Sequence, residues 1–170
     1  MTDAEVAALR ADWRARWVAA GWPLATDPVS ADHVIAVDRI CRDRLEYLRD
    51  DPSRDTWRSM LAYIVDCAPG ASRWYGDCDD WGSTVLDALD LTGVPADRLF
   101  RCKVSMQRDG VADHYAGMVE VGPSRERWIV GDTERGGAYP AGQRSFDFIE
   151  VKRVSDGLEG GFTPPAVTGA

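Results

Sequence analysis

Residues 74–82 read WYGDCDDWG, a stretch in which one cysteine, Cys78, stands between Asp77 and the pair Asp79–Asp80. A thiol attacks a carbonyl carbon as the thiolate, and three neighbouring carboxylates oppose that ionisation. The local pattern offsets this. Asp77 is a good N-cap type, and Trp81, Val85, Leu86 and Leu89 follow it at helical spacing. Cys78 then falls in a first helical turn, where the free N–H groups favour a thiolate. Successive side chains leave a helix about 100° apart, so Asp79 and Asp80 need not face the sulfur.

A nucleophilic cysteine requires a base, and the base requires a partner that orients it. The chain contains two histidines. His33 lies early in a helical pattern with no polar cluster near it, which reads as a structural or surface position. His114 opens the strand-like run HYAGMVEV directly after a polar turn, where its ring can face a cleft. Asp132 ends the next strand-like run, WIVGD, so neighbouring antiparallel strands would bring it beside His114. Cys78, His114 and Asp132 together give a thiol, a base and an orienting acid on a helix, a strand and a neighbouring strand, a pattern more specific than any one of them. One oxyanion donor would be the Cys78 backbone N–H at the helix start. Trp74 and Tyr75, just upstream, are candidates for the second, although an aromatic pair at this place more often staples a helix.

The elements that must position these groups can be read from the same chain. Thr2 and Glu5 form a capping-box pattern before Val6, Leu9, Trp13 and Trp17. A second helix is expected from Ser30–Asp32, with Val34, Val37, Cys41, Leu45 and Leu48 on one face before Asp51-Pro52. A third is expected from Thr56, with Trp57, Leu61, Ile64 and Val65, ending at Pro69-Gly70. The Arg/Asp-rich faces of these helices read most simply as solvated. The helix opened by Asp77 should close at Thr92-Gly93.

Beyond Gly93-Val94-Pro95 the period changes to that of strands. Leu99–Gln107 places Phe100, Cys102, Val104 and Met106 on one side; His114–Val121, Trp128–Asp132 and Phe146–Val154 follow through short turns. Helices first and hairpin-linked strands after them predict an α+β domain over residues 1–155 with an antiparallel sheet. Residues 156–170 are Gly/Pro-rich and are expected to form a mobile tail.

Composition narrows the function. With 170 residues and 45% apolar content the chain can bury one real core. A net charge of −8 argues against nucleic acid or anionic lipid as a general partner and favours basic or neutral ones. Apolar runs stay short of the roughly 18 residues a membrane span needs. The N-terminus lacks a basic n-region and apolar h-region, so a soluble protein without a signal peptide is expected. Cys41, Cys67 and Cys102 sit in apolar patterns without a CxxC pair, which predicts small buried hydrophobes. Phosphate-loop, dinucleotide and G-x-S-x-G signatures are absent.

Gly76-Asp77-Cys78-Asp79-Asp80 resembles the G-D-C-[DE]-D signature of bacterial transglutaminase-like cysteine peptidases. A helix, a G-x-P turn, a strand opening with His114 and a strand ending in Asp132 follow in that family's order. The resemblance covers about residues 70–135. It departs from the family where His114 is followed by Tyr115 and Asp132 by Thr133, where many members have an asparagine. It implies a papain-like fold, Cys78 as nucleophile, His114 as base, Asp132 as orienter, and a protein, peptide or amide substrate. Some relatives bind calcium with the acids of this motif, so Asp77, Asp79 and Asp80 become a candidate calcium site, in which a hard cation would relieve their mutual repulsion. An N-cap with solvated first-turn acids is the plainer reading. Short relatives occur in phage genomes, which suggests a cytoplasmic or virion-associated location and a virion or assembly partner. Two other functions stay open: a non-catalytic binding or assembly module on the same scaffold, and an acyl transferase with an amine acceptor.

Overall fold

A computed structural model describes residues 2–49, 61–66 and 74–156 of the chain. Helix α1 spans Asp3–Ala19 and opens with the Thr2/Glu5 capping box. Helix α2 spans Ala31–Arg42, capped by Ser30. Strand β1 is Leu45–Tyr47, helix α3 is Leu61–Asp66 and strand β2 is Trp74–Gly76. Helix α4 spans Cys78–Thr92. Strands β3 (Leu99–Ser105), β4 (His114–Val121), β5 (Glu126–Val130), β6 (Tyr139–Pro140) and β7 (Asp147–Arg153) complete the order. The last five form one antiparallel sheet in the order β6-β5-β4-β3-β7. The fold is the expected α+β arrangement, with the N-terminal helices and α4 on the sheet.

Each face of the sheet has its own apolar layer. Val85, Leu86 and Leu89 of α4 meet Val119, Val121 and Val130 on one side, joined by Trp17, Val34, Val37 and Cys41 from α1 and α2. On the other side Phe100, Cys102 and Val104 pack with Ala116, Met118, Ile129 and Phe146. Covered on both faces, β4 is buried from Tyr115 to Val121 and reads as a nearly continuous apolar run.

Several boundaries differ from the expectations. Helix α2 ends at Arg42, so Leu45 and Leu48 do not extend its stripe. Leu45–Tyr47 pairs in parallel with Trp74–Gly76 instead, and Leu48 donates its N–H to the Gly76 carbonyl. Strand β5 stops at Val130, and Asp132 stands two residues beyond it. The solvated reading of the Arg/Asp faces fails at Asp38, which is fully buried. Residues 50–60, 67–73 and 157–170, and with them Trp57, Cys67, Pro69-Gly70 and the expected tail, lie outside the described residues. No helix of the described residues is long and apolar enough to cross a membrane.

Candidate active site

Helix α4 begins where its N-cap chemistry dictates. The Asp77 carboxylate accepts the Asp79 N–H at 3.3 Å, and Gly93 closes the helix with φ +106°. The start of this helix then seats tightly on the sheet. A side chain at Gly82 would run into the Tyr115 ring, with Cε1 2.3 Å from the added carbon. Gly131 has φ +61°, and a Cβ there would lie 2.7 Å from the Gly82 Cα. The two glycines allow backbone-to-backbone approach, and this brings Cys78 to the end of β4. The backbone N–H of Tyr115, the residue after His114, donates to the Cys78 sulfur.

His114 and Asp132 meet as the spacing anticipated. Gly117 pairs with Val130, so continuing that register brings Asp132 level with Tyr115. His114 Nε2 lies 3.2 Å from Asp132 Oδ1, and both side chains are buried. The Glu134 N–H donates to the same oxygen at 3.0 Å, and the Tyr139 hydroxyl donates to Oδ2. Burial pushes the Asp132 carboxyl up, but the bonds from His114, Tyr139 and Glu134 outweigh it and hold the group below the ordinary aspartate range. With Nε2 committed to Asp132, Nδ1 is the ring nitrogen left to exchange a proton.

The thiol is not pre-ionised. Burial, then the charge of Asp77, raises Cys78 to about 12, with Asp79 adding to the effect; the N–H bonds of Tyr115 and Cys78 itself lower it only partly. The expectation that Asp79 need not face the sulfur is not met. Ligand atoms of Asp77, Cys78 and Asp79 all lie within 4.8 Å of one another. The Asp80 carboxylate, by contrast, turns against Gly76, where Oδ2 would stand 2.9 Å from an added Cβ.

The Asp77–Asp79 pair has the chemistry of a cation site. Burial above all, then a hydrogen bond to the Asp77 carboxylate, raises Asp79 to about 9, so this acid holds a proton at neutral pH. Its Oδ2 is buried with no hydrogen-bond partner. A hard divalent ion would supply that partner and take the place of the proton. Asp77 and Asp79 therefore fit calcium, with Asp80 buried beside them rather than in the cluster.

Of the oxyanion candidates, Tyr75 is 55% exposed, and the Trp74 side chain lies outside the described residues. The sequence reading missed Tyr47. Pairing of Tyr47 with Gly76 sets its phenol where the charges of Cys78 and Asp77 help burial raise it. It also missed Tyr139, which lies in a two-residue strand too short to show a pattern. His33, buried with Nε2 2.9 Å from the Thr92 hydroxyl, is structural as read. Cys41 and Cys102 are buried thiols raised by desolvation, Cys102 to about 12.

No protein-family model matches the chain, and no curated protein does. Solved structures of Legionella pneumophila LapG, a transglutaminase-like cysteine protease, share the fold. One superposes with a TM-score of 0.54 at 18% identity over 90% of this chain and 84% of that one. An EGTA-treated form gives 0.56 at 20% identity over 89% and 81%. A calcium-bound form gives 0.49 at 20% identity, and there the chain spans 63% of the LapG length. The chain thus has the transglutaminase-like fold.

Proposed function

We propose that the protein is a cysteine peptidase or amidase working through an acyl-enzyme on Cys78. The observation that carries this reading is the buried His114–Asp132 pair, with the N–H of the residue next to His114 bonded to the Cys78 sulfur. In the reaction, His114 Nδ1 takes the thiol proton as sulfur attacks the carbonyl carbon. The C–N bond breaks, and the amine leaves with that proton. Water then cleaves the thioester, or an amine does so in the transferase variant of the same chemistry. Asp132 stabilises the imidazolium and fixes its tautomer.

Calcium enters at Asp77 and Asp79. LapG has been solved calcium-bound and EGTA-treated, and the orphaned Asp79 oxygen supports a like site in this chain. Bound there, the ion would supply positive charge beside the sulfur. The likeness of the fold to that of a protease supports a protein or peptide substrate.

A second reading, a non-catalytic binding module, draws support from the thiol raised to about 12. Acylation by p-nitrophenyl acetate in calcium-containing buffer separates the two. On the peptidase reading an acetyl adduct forms on Cys78, and His114→Ala slows it about 10²- to 10⁴-fold. Equal labelling of Cys78 in wild type and His114→Ala would sink that reading.

A further inference from the structure

The N-terminal helical half matches no part of the motif that carries the resemblance, yet one of its ion pairs reaches the site. Asp38 stands on the buried stripe of α2, four residues after Val34 and three before Cys41, and is fully buried. Its Oδ2 accepts the Arg42 Nε–H at 2.8 Å. Both groups then reach out to the segment that carries the orienting aspartate. Asp38 Oδ1 accepts the Gly131 N–H at 2.7 Å, and Arg42 Nη2 donates to the Asp132 carbonyl, also at 2.7 Å. The Arg42 guanidinium also lies over the Trp81 ring, 5.3 Å from its centre, in the first turns of α4.

We infer that Asp38 and Arg42 are positioning residues of the active site, clamping the Gly131–Asp132 backbone so that the Asp132 carboxylate faces His114. The inference rests on the reading of His114 and Asp132 as base and orienter. A buried ion pair contributes little net stability when well-packed apolar groups could replace it, so its worth lies in the geometry it imposes. The need is specific here. Gly131 sits at positive φ just past the end of β5, where no ladder bond fixes the direction of Asp132. The Gly131 N–H belongs to the peptide unit before Gly131 and the Asp132 C=O to the unit after Asp132, so the two bonds anchor the main chain on either side of this pair. Arg42 uses separate nitrogens for Asp38 and for the Asp132 carbonyl, a geometry a lysine cannot reproduce fully. The same side chain covers Trp81, so the helix bearing Cys78 and the segment bearing Asp132 are referred to one group.

The test uses the full chain labelled with ¹⁵N-histidine. The His114 Nε2–H bonded to Asp132 should give a downfield, exchange-protected proton signal, absent in Asp132→Ala. In Arg42→Met and Asp38→Asn, each confirmed folded by a cooperative melt, that signal should broaden or vanish. Acylation of Cys78 should fall about 10- to 100-fold, and Arg42→Lys should recover part of both. Should Arg42→Met fail to fold, Asp38→Asn decides. It keeps an acceptor for the Gly131 N–H and puts an NH2 group where the Arg42 Nε–H is accepted, which breaks the Asp38–Arg42 pair. A folded variant that retains the wild-type His114 signal overturns the inference. If the signal responds as expected but wild type forms no acyl-enzyme, the clamp stands and the peptidase reading falls.

Discussion

Asp79, one residue beyond Cys78, donates its N–H to the carboxylate of Asp77, one residue before it, at 3.3 Å, and burial above all raises the Asp79 carboxyl to about 9. The thiol therefore sits beside a protonated acid pair whose remaining charge still opposes its ionisation. Any ligand that replaces the proton with a positive ion changes the electrostatics of the Cys78 sulfur directly.

Calcium should replace the Asp79 proton. In two buffers of different ionisation enthalpy at pH 7, calorimetry should report release of about one proton per ion bound, because Asp79 titrates only near 9 without metal. The melting temperature should rise with calcium and return with EGTA. Melting indifferent to millimolar calcium would remove the site.

Asp79→Asn should stabilise the metal-free protein in alkaline solution. An acid whose folded pKa is raised above its unfolded value binds more protons when folded, so stability falls as pH climbs from about 4 to about 9. At pH 3 the group is neutral in the folded and the unfolded chain alike, and the substitution should change little. At pH 9 the gain should be several kcal/mol. Urea midpoints at the two pH values would show it, and the same gain at both would refute the assignment.

Tyr139→Phe should act on Asp132. That carboxyl lies below its ordinary range in the folded protein, so its contribution to stability is present above the unfolded pKa and is lost as pH falls. Removing the Tyr139 hydroxyl deletes one of the bonds that hold it low and leaves burial to push it up. The expected result is a loss of about 1 kcal/mol at pH 7 that shrinks in acid, read from melts across pH. The acid limb of Cys78 acylation should also move to higher pH.

Gly82→Ala should damage the site more than the added methyl suggests. The new carbon would overlap the Tyr115 ring edge, and α4 must lift or the ring must turn. The expected cost is about 1–3 kcal/mol, together with loss of Cys78 acylation. Full acylation in a folded Gly82→Ala would show that the helix seat does not set the sulfur.

What the sequence made legible was local. Asp77 as N-cap and Gly93 at positive φ fix both ends of α4 within one stretch, and β4 opens at His114 as read. The β4–β5 hairpin then brings Asp132 to His114. Features set by distant partners were not legible. The strands at Leu45–Tyr47 and Trp74–Gly76 are three residues each and owe their existence to one another. The Asp79 carboxylate lies within 4.8 Å of the Asp77 carboxylate and the Cys78 sulfur, a closeness that helix periodicity does not give. Asp38 did leave a signal, a charge on the apolar stripe between Val34 and Cys41, but the Gly131 N–H it accepts lies 93 positions away.

The contact between Gly82 and Gly131 has a consequence for how such a chain can diverge. A β-carbon at position 131 would meet the backbone of Gly82, and one at position 82 would meet the ring of Tyr115. Trimming a neighbouring side chain cannot relieve the first overlap, because the obstacle is main chain. Position 131 therefore cannot drift first and be compensated by a side chain, whereas position 82 can change only if Tyr115 shrinks with it. Descendants that keep this helix seat should hold Gly131 and let positions 82 and 115 vary as a pair.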